Sequence, residues 1–154
     1  MQHSCTKNGA RGAGPDPSAE AALAAAGLRR TGPRLAVLRA LFRARRPLAH
    51  AELAARAALG GLDRVTIYRV LAALRRAGLV HEVRGVDGTL RFGWHPGQDA
   101  HCPGDHAHFL CLRCGGMQCL SEQPMPRVAV PRGARVQGKQ LLAYGTCARC
   151  LPHG

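Results

Sequence analysis

Residues 106–120, HAHFLCLRCGGMQCL, hold two histidines and three cysteines, and a further pair, CARC, follows at 147–150. Cys111-Leu-Arg-Cys114 and Cys147-Ala-Arg-Cys150 are C-x2-C pairs separated by 32 residues. Each pair can present two thiolates about 2.3 Å from one ion, and two pairs complete the closed tetrahedron of a structural zinc site. The chain has seven cysteines, an odd number, with histidines interleaved among them. Thiolate ligation in a reducing compartment accounts for that better than a disulfide framework or redox pairs.

A second set of soft ligands lies outside these pairs. His106 and His108 alternate along an expected strand, so both project to one face, as two ligands of a single ion must. Cys119 falls on the neighbouring expected strand, and His81 lies on the far side of a Gly/Pro-rich stretch. Together they could form a mixed nitrogen and sulfur site drawing on both halves of the chain. His101 and Cys102 lie within that Gly/Pro-rich stretch. His50, His95 and His153 read as solvated or hydrogen-bonded residues, and His3 and Cys5 sit in a polar tail without nearby partners.

These donors need elements to position them. Residues 1–15 read as a disordered tail, 16–92 as a first, helical unit, 93–105 as a hinge and 106–154 as a small second unit. DPSAEAALAAAG gives a short helix capped by Asp16 or Ser18 and ended by Gly27. TGPRLAVLRALFRA gives a second helix, with Thr31 as cap and Leu35, Leu38, Leu41 and Phe42 on one stripe. HAELAARAAL, residues 50–59, makes a third, which Gly60-Gly61 breaks. Asp63 then caps RVTIYRVLAALRRAG, where Ile67, Val70, Leu71 and Leu74 face inward and Val65, Tyr68, Arg69, Ala72 and Arg76 face away. LVHEVRGVDGTLRF, with two alternating runs about Asp87-Gly88, predicts a two-stranded hairpin. Short helices followed by a hairpin form the pattern of a winged helix-turn-helix. Beyond the hinge, HFLC, MQCL and VQGKQLLAYG read as strands, with a proline-rich loop between the last two. So small a β-rich unit cannot bury enough apolar area alone and needs a metal, a partner subunit or both.

Charge says what the first unit meets. There are 22 basic residues against 9 acidic, a net charge of +13, and only Lys7 and Lys139 among the basic residues are lysine. Arginine's planar fork suits phosphate. Twelve arginines and only two acids, Glu52 and Asp63, lie between Arg29 and Arg76, so the excess is concentrated where the helices are expected. On the fourth helix Tyr68 could meet a thymine methyl or a phosphate, or pack on its neighbours; Arg69 could meet a phosphate or a guanine. Arginines of the second helix, Arg34 among them, and of the wing would hold the phosphates. The N-terminal residues lack an apolar targeting segment and no run of about 18 apolar residues occurs, so a soluble, cytoplasmic protein with no membrane contact is expected.

GLRRTGPRLAVLRAL, VTIYRVLAALRRAGLVHEV, HAHFLCLRCGG and YGTCARC, in that order over roughly residues 20–150, resemble the ferric uptake regulator superfamily of bacterial metal-sensing repressors. The resemblance implies an α+β chain: an N-terminal winged helix-turn-helix that reads double-stranded DNA at a palindromic operator, then a small β-rich dimerisation domain. It implies a homodimer with structural zinc on Cys111, Cys114, Cys147 and Cys150, and a recognition helix carrying Thr66, Tyr68, Arg69 and Arg76. His106 and His108 match the family's H-x-H sensing pair. His81 in GLVHEV, and a cysteine among the sensing ligands, are similar to the zinc uptake regulator branch, which makes zinc the expected corepressor and zinc homeostasis the expected role.

Departures from the family pattern are equally specific. Gly93 stands where relatives place a Glu or Cys ligand, so the remaining donor must come from Cys119, Cys102 or His101. Ala107 interrupts the family's longer His/Asp cluster and Lys139 stands about where relatives have a histidine, so an accessory metal site is not expected. Prolines at 124, 126 and 131 replace most of the usual dimerisation helix. An iron or peroxide sensor of the same fold would want more carboxylates than Asp105 and Glu122. A zinc hydrolase would need an open coordination position and an adjacent carboxylate, and no H-E-x-x-H occurs. A metallochaperone would leave the arginine-rich half without purpose.

Overall fold

A computed structural model describes residues 18–57, 61–94 and 106–152. Helix α1, Ala19–Ala25, begins at Ser18, whose Oγ accepts from the Ala21 N–H at 3.1 Å, and ends before Gly27 at φ +68°. Helix α2, Gly32–Ala44, starts after Thr31 as expected, but the Thr31 side chain makes no capping bond. Pro33 explains this: it sits in the first turn and lacks one of the N–H groups such a cap would bind. Val37, Leu38 and Leu41 of α2 are buried against Ile67, Val70, Leu71 and Leu74 of helix α4, Arg64–Arg76. Asp63 caps α4, accepting from the Thr66 N–H at 2.8 Å and from its hydroxyl at 2.7 Å. Leu53 of helix α3, His50–Ala57, closes the same core.

The wing has one strand more than the sequence suggested. Strand β1, Leu48–Ala49, pairs with strand β3, Leu90–Trp94, which also pairs with strand β2, Val80–Arg84, in the antiparallel order β1-β3-β2. Two residues are too few to show a period of two, so β1 was invisible to pattern reading. Strand β3 also continues through Gly93 and Trp94, into the segment expected as hinge, because Trp94 lies edge-on to Phe42 of α2 at 4.1 Å between ring centroids. Residues 95–105, with His95, His101 and Cys102, lie outside the described residues.

The C-terminal sheet has the order β5-β4-β6, built from β4, His106–Cys111, β5, Met117–Pro124, and β6, Leu141–Gly145. β4 is antiparallel to β5 and parallel to β6. A parallel neighbour needs a crossover connection, and residues 125–140 supply it without helix or strand, in keeping with their prolines. The strand expected to begin at Val136 is confined to Leu141–Gly145. Leu110 and Met117 are the fully buried apolar residues of this sheet's core, which Val83 of β2 completes and Leu142 flanks. The second core is therefore borrowed in part from the wing.

Two polar ties join the halves beside that core. Gln140 accepts from the Arg84 N–H at 3.0 Å and donates to the Arg84 carbonyl at 2.6 Å, as a strand neighbour would. Arg91 of β3 is 3% exposed and donates to both oxygens of Asp87, at 3.0 and 2.8 Å, and twice to the Gly115 carbonyl, at 3.2 and 2.9 Å. Wing arginines were expected on phosphate; Arg91 instead points inward, because Asp87 and Gly115 supply its acceptors there. The guanidinium holds the Asp87 carboxyl well below the usual carboxylate range, at about 2, through its hydrogen bonds. A lowered folded value means the tie is fully present above about pH 4, the unfolded carboxylate's value, and weakens as pH falls toward 2. Arg91→Met is expected to lower stability by about 2–4 kcal/mol in urea unfolding at neutral pH, less at pH 2; a neutral-pH loss under about 1 kcal/mol would contradict this.

No helix among the described residues is long and apolar enough to cross a membrane.

Candidate functional site

Among the described residues, two groups of three or more His, Cys, Asp or Glu side chains converge closely enough to hold a metal ion. The first is Cys111, Cys114, Cys147 and Cys150, whose ligand atoms all lie within 4.8 Å of one another. Donors around a tetrahedral zinc stand about 3.3–3.8 Å apart, so little movement separates this cluster from a closed site. Turns shape both knuckles: the Gly115 N–H donates to the Cys111 carbonyl at 2.9 Å, with Gly115 at φ +69°, and the Cys150 N–H donates to the Cys147 carbonyl at 2.8 Å. The Cys147 N–H reaches Cys111 Sγ at 3.3 Å, and Arg113 Nη1 donates to the Cys150 carbonyl at 2.6 Å, so each knuckle braces the other.

Electrostatics in this cluster suit a cation. Burial opposes ionisation of Cys111, yet the N–H groups of Cys147, Cys114 and Arg113 outweigh it and bring that thiol down to about 6. Cys114 is pushed up to about 12, first by burial and then by the sulfurs of Cys111 and Cys150. The first thiolate thus raises the cost of the second, a conflict that a bound divalent ion removes. Four sulfurs fit zinc.

The second group is His81, His106, His108 and Cys119, again with all ligand atoms within 4.8 Å. His106 and His108 are 3% and 2% exposed, two residues apart on β4, and their ring centroids are 4.3 Å apart. His108 stands directly opposite Cys119 in the β4–β5 ladder, which puts both on one face. His81 comes from β2 of the wing, its ring centroid 5.8 Å from that of His106 and 5.7 Å from that of His108. Three imidazoles and one thiol, two of them nearly closed off from solvent, fit zinc, and among the described residues no carboxylate joins them. Cys119 is the donor that this geometry brings in beside the histidines, while Cys102 and His101 fall outside the described residues.

On the far surface α4 presents the other predicted residues. Tyr68 is 66% exposed, most of its side chain open to solvent, and Arg69 and Arg76 are exposed beside it. Thr66 is half-buried, its hydroxyl proton engaged by Asp63. Arg34, half-buried at the start of α2, donates to the Arg29 carbonyl at 3.0 Å. Val65, expected to face away from the core, is 59% exposed one turn before Tyr68. The inward tie made by Arg91 was missed in the sequence, because an arginine in an exposed-looking hairpin has no mark of burial.

A winged helix linked to a small mixed sheet, with one four-thiolate cluster and one cluster bridging the two, defines a metal-responsive DNA-binding regulator. The ferric uptake regulator family model matches residues 25–135, and the chain belongs to that family. The transcriptional regulator FurA of Mycobacterium tuberculosis is 31% identical over 135 residues, covering 83% of this chain and 86% of that protein. The ferric uptake regulation protein of Legionella pneumophila is 30% identical over 132 residues, covering 81% and 93%. Among solved structures, a zinc uptake regulator complexed with zinc and DNA is 26% identical, with a TM-score of 0.62 and coverage of 86% of this chain and 89% of that one. The protein is accordingly a transcriptional regulator that binds DNA and metal, and not an enzyme.

Proposed function

We propose that this regulator is a cytoplasmic homodimeric repressor with zinc as its corepressor, controlling genes of zinc homeostasis. The observation that carries the reading is the donor set His81, His106, His108 and Cys119, three nitrogens and a sulfur, with no carboxylate among the described residues. Such a set favours zinc over iron or manganese. Cys111, Cys114, Cys147 and Cys150 hold a second zinc that keeps the C-terminal sheet folded. The likeness to a zinc uptake regulator complexed with zinc and DNA supports zinc as the metal.

His81 of the wing, His106 and His108 of β4 and Cys119 of β5 would hold the regulatory ion, which when bound would supply a tie between the two halves. That restraint fixes the separation of two recognition helices to suit half-sites about one helical turn apart in a palindromic operator. A 100-fold preference of zinc for the DNA-competent arrangement corresponds to about 2.7 kcal/mol of coupling, within the usual range for linked sites. Val128, Val130, Val136 and Tyr144, exposed in the single chain, supply apolar surface for the partner subunit. Tyr68, Arg69 and Arg76 enter the major groove, while Arg34 and neighbouring arginines hold phosphate.

Arg69→Ala is expected to weaken operator binding by about 1–3 kcal/mol, read by fluorescence anisotropy; if Arg69 meets phosphate, the salt slope also falls by about one. Unchanged affinity and slope would remove Arg69 from the interface. The metal assignment is tested by titrating Zn²⁺, Fe²⁺ and Mn²⁺ anaerobically into protein stripped of its regulatory metal and following operator affinity. Zinc alone at sub-micromolar free concentration is expected to raise it; an equal response to Fe²⁺ would make the protein an iron sensor.

A further inference from the structure

His81 and Gly93 are direct partners in the β2–β3 ladder, so a side chain at 93 would rise on the same face as the imidazole. Gly93 is buried, and the His81 ring lies over it. A Cβ added at 93 would meet the His81 Nε2 at 2.7 Å, and Cε1 closer still, well inside ordinary van der Waals contact at 3.4 Å or more. The ring occupies the space of the missing side chain. From that place it faces His106 and His108 of the other sheet.

We infer that Gly93 is a positioning residue for the regulatory metal: its bare backbone seats the His81 imidazole among His106, His108 and Cys119, and in this chain a side chain at 93 displaces the ring from that seat. The inference rests on the proposed reading of those four residues as a metal site. Clearing the clash requires a shift of 3.4 − 2.7, or about 0.7 Å, at Nε2, and a larger one at Cε1, which lies closer. Ligand constellations tolerate displacements of only about 0.5 Å before function suffers. Gly85, Gly115 and Gly145, near the two clusters, do not crowd a residue of either in this way. The four-thiolate cluster, built on different elements, is untouched by the change.

The experiment uses the full-length protein with its four-thiolate zinc in place and compares wild type, Gly93→Ala, His81→Ala and the double variant. Zn²⁺ affinity at the second site is measured by competition with a chelating dye, and Co²⁺ spectra in the same site report the donor set. Wild type is expected to take a second equivalent, and Gly93→Ala to bind it roughly 10–100-fold more weakly, as when the support of a ligand is lost. In the His81→Ala background the Gly93→Ala change is expected to cost nothing further, because no ring remains to be displaced. The double variant also keeps the comparison informative should Gly93→Ala alone fold poorly, since alanine fits once the ring is gone. Wild-type affinity in Gly93→Ala, or an equal loss with and without His81, overturns the inference. Failure of the wild type to take a second equivalent overturns the proposed function itself.

Discussion

Replacing His108 with alanine is expected to reduce bound zinc from two equivalents to one per chain and to lower zinc-saturated operator affinity about 100-fold, to the level of protein lacking regulatory zinc. His108 lies at the centre of the second cluster, 2% exposed on the middle strand, with Cys119 opposite it on β5 and His106 beside it. Removing it leaves two imidazoles, one of them on the wing, and a thiol, too few to close the site. The fold is expected to survive, because the β4 backbone pairs with both neighbouring strands whatever side chain it carries, and Cys111 with its three partners remains intact. Circular dichroism, zinc analysis and operator anisotropy on one preparation check this. A His108→Ala protein that keeps two zinc ions and full affinity would contradict the assignment.

Cys114→Ala is expected to act quite differently: the C-terminal sheet unfolds, both metals are lost and DNA affinity no longer responds to zinc. The reason is the small core of that sheet. Leu110 and Met117, with Val83 from the wing, are its fully buried apolar side chains, worth roughly 1.5–3 kcal/mol each. Structural zinc binding supplies about 10–16 kcal/mol in comparable small domains, so loss of one thiolate removes the largest single contribution. The helical half keeps its own core of Leu23, Leu38, Leu41, Leu53, Ile67, Leu71 and Leu74 and stays folded. Hydrogen exchange separates the two halves: protection is expected to vanish in β4–β6 and persist in α2 and α4. If Cys114→Ala and His108→Ala behave alike, the division between a structural and a regulatory ion is wrong.

The helical half was largely legible in the sequence because each signal there is local. The 3.6-residue stripe of α4, the Asp63 cap and the Gly27 and Gly78 stops all act within a few residues of themselves. Both ligand clusters were legible for a similar reason, since C-x2-C spacing and the alternation of His106 with His108 are local, and Cys119 needed only an antiparallel neighbour. What escaped notice depends on pairing across the chain. Strand β1 exists because the edge of β3 is available to it. Arg91 is buried because Asp87 and Gly115 meet it from two elements. Gly93 read as a missing ligand, yet its effect lies with the ring across the ladder. Sequence shows that a side chain is absent; only register shows what fills the gap.

The regulatory ion as a tie between wing and sheet is tested most directly by titrating Zn²⁺ into full-length protein that retains only its four-thiolate zinc, while following anisotropy of a labelled palindromic operator. Affinity is predicted to rise about 100-fold as the second equivalent binds, and not to rise in His108→Ala. Binding that is equally tight before and after the second equivalent, or a protein that accepts no second equivalent, would contradict it.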